Sequence, residues 1–446
     1  MSRAWSPIAL LLVTLLVWAP GLSGQFHFDD LPNIVLDPAT ADSAILMDRL
    51  SNGFRPLLRL SYALDHAIWG FNAAGFLATN LLLHLLTVWL VWALAYRRLE
   101  NELAVFAAAC VFALQPAHAA VVAWASGRSP GFATLFLVAA MVAHDRAASR
   151  QGAWRAASLV AFALAVLSKE VALVLPALLL LWENTRAQAV PFAEQLRRVT
   201  PAAVMASALL LAALAGSSRL RELLEFSFAL AAPLGALAIH AAALPASLGL
   251  WLLPWTLSVE HAADFTPAAM AAGATILSVM IAVAVRYRRS LPLLTLGLMW
   301  PLVLMLPTHS FIARLDPIVE KALYAAWIGP SLAIGAALPW VVTAFGRRAA
   351  LAGMVGFLCC LGSVSAWRAQ IWAQPHALWR EATERAPLSA RAWSNLALLE
   401  LDAGRHQAAA VAVARALALD PQAIKTRDLA LAISFAQPLT SEVPRR

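Results

Sequence analysis

The chain has 446 residues, of which 61% are hydrophobic and 13% charged, whereas a soluble globular chain runs near half apolar and a quarter charged. This excludes an ordinary soluble enzyme and a disordered protein, and because the apolar residues fall in long runs the chain reads as an all-α, multi-pass membrane protein. The formal charge of +8 is no nucleic-acid footprint. Many of the cations cluster between apolar runs, at Arg97-Arg98, Arg197-Arg198, Arg286 with Arg288-Arg289, and Arg347-Arg348, as in cytoplasmic loops under the positive-inside rule.

A first apolar run over 7–22 follows a short basic start containing Arg3. It has the form of a signal peptide, but the runs that follow make it an uncleaved first helix with its N-terminus in the cytoplasm. Further spans are expected at 75–96, 103–114, 131–143, 156–167, 171–182, 199–215, 268–285, 291–306, 323–345 and 349–366. That makes about eleven crossings, at roughly 20 apolar residues for a full one. With the start inside, the basic stretches at Arg97, 146–155, 186–198, Arg286 and Arg347 all fall inside. The stretch 226–254 is apolar but interrupted by Pro233, Pro245 and Gly249. Parity allows it two crossings or none, and a tilted or re-entrant element lining a cavity fits, since broken backbone at membrane depth is tolerated there. The odd count puts the C-terminus outside. Cys110, Cys359 and Cys360 lie within apolar runs and read as packing residues, neither a disulfide framework nor a metal site.

After 366 a charged, alanine-rich helical pattern replaces the spanning runs. Trp393, Leu396, Gly404, Ala409, Val413, Ala416 and Pro421 fall at the spacings of a tetratricopeptide repeat (TPR). Trp379, Ala382 and Pro387 match the second helix of a preceding unit, and 423–436 reads as a capping helix. The chain is thus divided into a transmembrane domain, 1–366, and a TPR-like helical extension, 367–446, suited to holding a protein. The plainer alternative is a helical cap over the last span.

The outer loops carry the chemistry. Arg55, Arg59, Arg128, Lys169, Arg314 and Lys321 lie there, against the positive-inside preference, and residues placed against a rule are candidates for function. An anionic headgroup in an outer-face cavity explains them. In Phe26-His27-Phe28-Asp29-Asp30-Leu31-Pro32-Asn33, adjacent carboxylates raise one another's pKa, which suits a general base acting on a hydroxyl, or orientation of a donor phosphate through a cation. The plainer reading of such a pair is a solvated turn or a helix cap. His84, within an apolar run, fits a bond to a neighbouring helix as well as a functional role. His118 and His261 sit at loop edges where they can hold a ligand, Lys169 and Glu170 can simply neutralise each other, and Trp124 near Arg128 offers a ring face for stacking.

Seven ordered motifs extend over nearly the whole chain: Phe28-Asp29-Asp30; Phe54-Arg55-Pro56-Leu57 with Ser61-Tyr62-Ala63-Leu64; Thr79-Asn80-Leu81-Leu82-Leu83-His84; Pro116-Ala117-His118 with Val121, Trp124, Gly127 and Arg128; Leu167-Ser168-Lys169-Glu170 with Pro176; Pro254 with Leu257-Ser258 and His261; and Glu320-Lys321-Ala322-Leu323-Tyr324 with Gly329. This succession resembles the transmembrane-and-TPR O-mannosyltransferases and their bacterial relatives. The resemblance implies a GT-C glycosyltransferase that takes one sugar from a polyprenyl- or dolichyl-phosphate carrier and transfers it, with inversion, outside the cytoplasm. The acceptor would be a Ser or Thr of an exported protein held by the TPR region. A glycolipid or envelope polysaccharide acceptor is the alternative within the fold, and a non-catalytic scaffold or transporter the alternative outside it.

Carried over residue by residue, Asp29 and Asp30 are the catalytic pair. Arg55, Arg128, Lys169 and Arg314 bind the donor phosphate, Arg55 and Arg128 foremost because a guanidinium grips phosphate in bidentate fashion. Tyr62, His118, Trp124, Glu170, His261, Glu320, Lys321 and Tyr324 contact substrate. No cofactor is expected, and no metal, since one acidic pair is a poor cage for a divalent ion. Membrane lipids are partners and nucleic acid is not. The expected location is the inner membrane, with the catalytic loops and C-terminus facing the periplasm or exterior. The chain departs from the family pattern at Gln115 and Leu77, where histidines are frequent, at Ala119-Ala120, near a frequent acid, and at Lys321, which replaces an arginine.

Overall fold

The computed structural model describes residues 5–52, 55–147, 152–188, 190–262, 265–314 and 316–436. Arg3, Phe54 and part of the 146–155 basic stretch lie outside them. A backbone in hydrocarbon has no water to bond to, and every regular element among the described residues is helical.

Among the described residues, seven helical segments are long and apolar enough to cross a membrane: Ser6–Ser23, Ala73–Ala95, Phe192–Gly216, Pro233–Leu250, Pro267–Tyr287, Ile328–Phe345 and Arg347–Trp372. An eighth results if Glu102–Ala113 and Pro116–Val122, bent by 46°, count as one. The other expected spans also form helices, at Arg128–Ala147, Ala153–Ser168, Leu175–Glu183 and Pro292–Met305, but these are too short or too polar to qualify by length and composition. Of the interruptions expected in 226–254, Pro233 marks a break and Pro245 and Gly249 do not. Pro233 opens a helix, Pro233–Leu252, at the first-turn position where its missing N–H costs nothing. Pro245 is accommodated inside that helix. The break lies between it and the amphipathic helix Ser218–Leu230.

The chain divides into two compact units, one of Met1–Leu257 with Ala263–Ala373, the other of Ser258–Ala262 with Gln374–Arg446. The division expected after 366 falls inside the 26-residue helix Arg347–Trp372.

In the first unit, small residues set the helix contacts, since helices in lipid associate through close backbone approach. The helix Glu102–Ala113 is rich in alanine and largely buried. Gly335 of the helix Ile328–Phe345 lies so near it that an added Cβ would stand 2.6 Å from the Ala104 carbonyl oxygen. Gly273 is pressed against the Ala241 carbonyl in the same way.

The helix Arg128–Ala147 is about 30 Å long at 1.5 Å per residue, and its ends lie in different chemistry. Near its C-terminus Asp145 accepts from Arg97 Nε at 2.6 Å and Arg98 Nη2 at 2.7 Å. Arg98 also stacks 4.0 Å over Trp182, and Glu183 accepts from Arg186 at 2.7 Å and Arg198 at 3.1 Å. Two basic stretches distant in sequence, Arg97-Arg98 and 186–198, thus meet at one end of the bundle. At the other end of the same helices, Ser129 and Lys169 line a cavity.

The second unit consists of the helices Pro375–Arg385, Ala390–Asp402, His406–Leu419 and Ile424–Ala436. Ser389 caps the second of them by accepting from Ala392 N at 3.1 Å, and Gly404, at φ +72°, makes the left-handed turn into the third. Ala397, Ala409, Ala412, Val413 and Ile433 form their core. The short segment 258–262 joins this unit, Glu260 accepting from Arg391 Nε at 2.9 and 3.1 Å.

Candidate active site

The first loop turns sharply after the N-terminal helix. Phe28 has φ +51°, a strained conformation for a bulky residue that persists only where surrounding contacts impose it. Its ring stacks on Trp124 with centroids 6.2 Å apart. Asp30 is the buried member of the acidic pair: one oxygen accepts from His27 N at 3.1 Å, the other from Ser126 N at 2.7 Å. These bonds tie the first loop to the turn Ala125–Gly127. Burial pushes the Asp30 carboxyl up to about 6, although both hydrogen bonds favour its ionised form.

Asp29 faces a cavity of about 500 Å³. Arg55, Lys169, Glu170, Arg314, Lys321 and Tyr62 line the same space, so loops from four parts of the chain bring these expected site residues together. The helix Ser218–Leu230 closes one side with Leu220, Leu223, Leu224 and Phe226. The cavity is therefore amphiphilic, with cations on one wall and leucines on another.

Arg55 sits at φ +56° and grips Glu170 in a fork, Nη2 to Oε1 at 2.8 Å and Nε to Oε2 at 3.2 Å. Burial opposes the Glu170 charge, but Arg55 and Lys169 beside it hold its carboxyl below the usual range. Lys169 is driven well below the usual lysine range by burial and by Arg55. Burial also lowers Lys321, with Asp29 working against that shift, and its Nζ rests 4.9 Å from the Trp124 ring. Arg59, also on the wall, is paired with Asp37 at 2.5 Å.

The remaining expected residues lie elsewhere. Arg128 is fully buried and does not line the cavity. It donates to Asn80 Oδ1 at 2.7 Å, Ser61 Oγ at 3.0 Å and the Phe76 carbonyl at 2.8 Å, and it pairs with Asp65. Its donors are consumed within the protein, so the outer-loop cation ranked among the first for phosphate instead locks three helices together. Trp124 backs the cavity wall through Phe28 and Lys321 instead of lining it. His118 and Tyr324 are buried with their ring centroids 4.5 Å apart. His84, paired with Tyr324 OH at 2.8 Å, donates from Nε2 to the Ala113 carbonyl, the inter-helix bond weighed for it. Glu320 is buried in the turn Glu320–Ala322, and His261 belongs to the second unit.

Sequence reasoning missed the leucines of the helix Ser218–Leu230 and the acid Asp316 on the cavity wall. The 3.6-residue spacing of Leu220, Leu223 and Leu224 beside Glu222 and Glu225 is the signal that could have found the helix. Among the described residues no group of three or more His, Cys, Asp or Glu could hold a metal ion.

The bundle and this cavity define a multi-pass helical membrane protein with an amphiphilic, cation-walled site at one end. No family model matches the chain. Parts of it are similar to curated proteins: 38% identical over 85 residues, 19% of this chain, to Protein O-mannosyl-transferase Tmtc1 of Drosophila melanogaster; 32% over 99 residues, 22% of the chain, to Protein O-mannosyl-transferase TMTC2 of Mus musculus; and 26% over 162 residues, 33% of the chain, to Protein O-mannosyl-transferase TMTC1 of Homo sapiens. The chain spans 10%, 12% and 18% of the lengths of these relatives.

Proposed function

We propose that this protein is an inverting glycosyltransferase that moves one sugar from a polyprenyl-phosphate carrier to Ser or Thr hydroxyls of an exported protein. The observation that carries this reading is the cavity, where a carboxylate, Asp29, shares about 500 Å³ with Arg55, Lys169, Arg314 and Lys321 beside a leucine wall. Such a space suits a ligand that is anionic at one end and hydrocarbon at the other. The names of the similar proteins point to the same chemistry.

In this mechanism Asp29 takes the proton of the acceptor hydroxyl as its oxygen bonds to the anomeric carbon. The bond from that carbon to the carrier phosphate oxygen breaks on the opposite face. The charge that develops on the leaving phosphate falls among the cations of the wall, where preorganised charge in a dry site acts strongly. Asp30 holds the loop that aims Asp29, and Glu170 holds Arg55 in place.

The GT-C architecture, with about eleven crossings and a TPR-like second unit that holds the acceptor, belongs to the same proposal. A parity argument supports this topology. Ser227 and Thr308 line one cavity, so the helices Pro233–Leu252, Pro267–Tyr287 and Pro292–Met305 between them make an even number of crossings. Arg286, Arg288 and Arg289 join the last two as a pair on the basic side. His240 Nε2 of the first donates to the Ile312 carbonyl at 3.0 Å, in the loop that lines the cavity, so this helix stays on the cavity side. The basic end is then cytoplasmic and the cavity periplasmic or exterior.

The deciding experiment follows radiolabelled sugar from polyprenyl phosphate into the protein and lipid fractions of membranes carrying wild type or Asp29→Asn at matched expression. Label in protein that falls at least about 100-fold in the variant, the usual scale for losing a general base, supports the proposal. Carboxylate-dependent label in lipid moves the acceptor to a glycolipid. Transfer unaffected by Asp29→Asn overturns the mechanism.

A further inference from the structure

At the end of the bundle away from Asp29, a second cavity of about 290 Å³ lies among the helices Arg128–Ala147, Ala153–Ser168 and Phe192–Gly216. Arg155, Arg197, Arg198 and His144 line it with a single carboxylate, Glu194. That carboxylate is shared, accepting from Arg197 at 2.7 Å and from Arg198 at 3.0 Å. Arg198 reaches on to Glu183 at 3.1 Å, but Glu183 is already held by Arg186 and by His144. Cationic charge therefore exceeds acidic charge around the cavity, where Arg155 is exposed and the Arg197 side chain is 80% exposed, and an excess of one sign gathered in a cleft attracts an incoming anion.

Two of the three lining helices, Ala153–Ser168 and Phe192–Gly216, continue into apolar, outward-facing surface. Val160 and Val204 are 59% and 63% exposed, and Phe192 and Leu196 are exposed at the cavity end. At 1.5 Å per residue the valines lie roughly 8 Å further along their helices than Arg155 and Arg198. Arg146 rests 4.8 Å over the Trp154 ring, next in the chain to Arg155, and such an aromatic ring beside a cation is the kind of pair that membrane proteins carry at their interfaces. A free phosphate would satisfy the guanidiniums but would leave the apolar continuation without a role.

We infer that this cavity binds the phosphodiester of an anionic phospholipid headgroup, with the acyl chains running along the Val160 and Val204 surface. The site stands on geometry at the opposite end of the bundle from Asp29 and is independent of the proposed transfer reaction. An anionic lipid there would brace the helices Ala153–Ser168 and Phe192–Gly216 against each other.

The test is native mass spectrometry of the full chain in detergent, with phosphatidylglycerol, zwitterionic phosphatidylethanolamine or sodium phosphate added. Retention of phosphatidylglycerol over phosphatidylethanolamine, reduced about tenfold in Arg155→Gln/Arg197→Gln and unchanged in Arg288→Gln, supports the site. If the double variant fails to fold, Arg155→Gln alone, at an exposed position, is expected to give a partial loss. Equal retention of the two lipids, or full phosphatidylglycerol occupancy in the Arg155→Gln variants, overturns it. Displacement of phosphatidylglycerol by sodium phosphate at equal concentration overturns the lipid and assigns a soluble anion instead.

Discussion

Burial separates the two carboxylates of the first loop: Asp30 accepts two backbone N–H groups inside the protein while Asp29 faces the cavity. The titration of Asp30 follows from its burial. The folded pKa of Asp30, about 6, lies above its ordinary value of 3.8, so between these pH values the folded chain binds the proton more tightly than the unfolded one. That contribution to stability is fully present below about pH 4 and is lost as pH rises through about 6. The stability of wild type relative to Asp30→Asn is therefore expected to fall by up to about 3 kcal/mol over this window and to stay level above it, as denaturant titrations at a series of pH values would read. Arg128 gives the opposite lesson, because its charge has a full set of partners. Removing one partner of a buried ion pair costs about 3–5 kcal/mol, so Arg128→Gln is expected to lower the melting temperature sharply. Arg128→Lys is expected to do nearly as much harm, since an ammonium cannot reproduce the planar fork. Arg314→Gln, in the cavity wall, is expected to leave melting nearly intact while reducing sugar transfer. Melting and transfer measured on the same preparations distinguish the structural cation from the cavity one.

Among the elements, the contacts that place the cavity depend on glycine where two backbones touch. A side chain at position 335 meets the Ala104 carbonyl oxygen, whereas nothing lies within 4 Å of a Cβ at Gly353. Gly335→Val is expected to cost about 1–3 kcal/mol through overpacking, while Gly353→Val is expected to fall within about 0.5 kcal/mol of wild type. Thermal melts of the two side by side check the pairing of Ile328–Phe345 with Glu102–Ala113. The cavity helix Ser218–Leu230 follows a different logic, for its leucines gain a partner only when loops from elsewhere complete the wall. The long apolar elements were legible as runs of residues, since hydrocarbon length alone dictates them. Arg128–Ala147 was legible as a helix but not as a buried wall, because its neighbours decide which face is covered.

For the whole molecule, the topology makes a prediction about sides. In a background where Cys359 and Cys360 are replaced by Ala, Asn33→Cys at the cavity and Gln188→Cys at the basic end are expected to react with a membrane-impermeant maleimide from opposite sides of the membrane. Trp255→Cys, just after the helix Pro233–Leu252 and 59% exposed as tryptophan, is expected to label from the Asn33 side. Labelling from the Gln188 side would mean that this helix crosses, and the count of spans would change with it. The same experiment bears on both ends of the bundle, where the proposed transfer site and the proposed lipid site lie.

Composition and the length of apolar runs determined that this chain is a helical membrane protein, because burying a backbone in hydrocarbon leaves few other solutions. The clustering of arginines marked Arg97, Arg98, Arg186 and Arg198, which meet around Asp145 and Glu183 at one end of the bundle. The charges set against the positive-inside rule singled out Arg55, Lys169, Arg314 and Lys321, which the fold gathers around one space. What the sequence could not decide was the environment of each charge. Asp29 and Asp30 are equal on paper, as are Arg55 and Arg128. One of each pair reaches the cavity, Arg55 there paired with Glu170, and the other is buried away from it among partners distant in sequence: Ser126 for Asp30, Asp65 and Asn80 for Arg128. Burial and partnership are properties of the packed chain, and they decide which charged side chains line the cavity and which lie inside the protein.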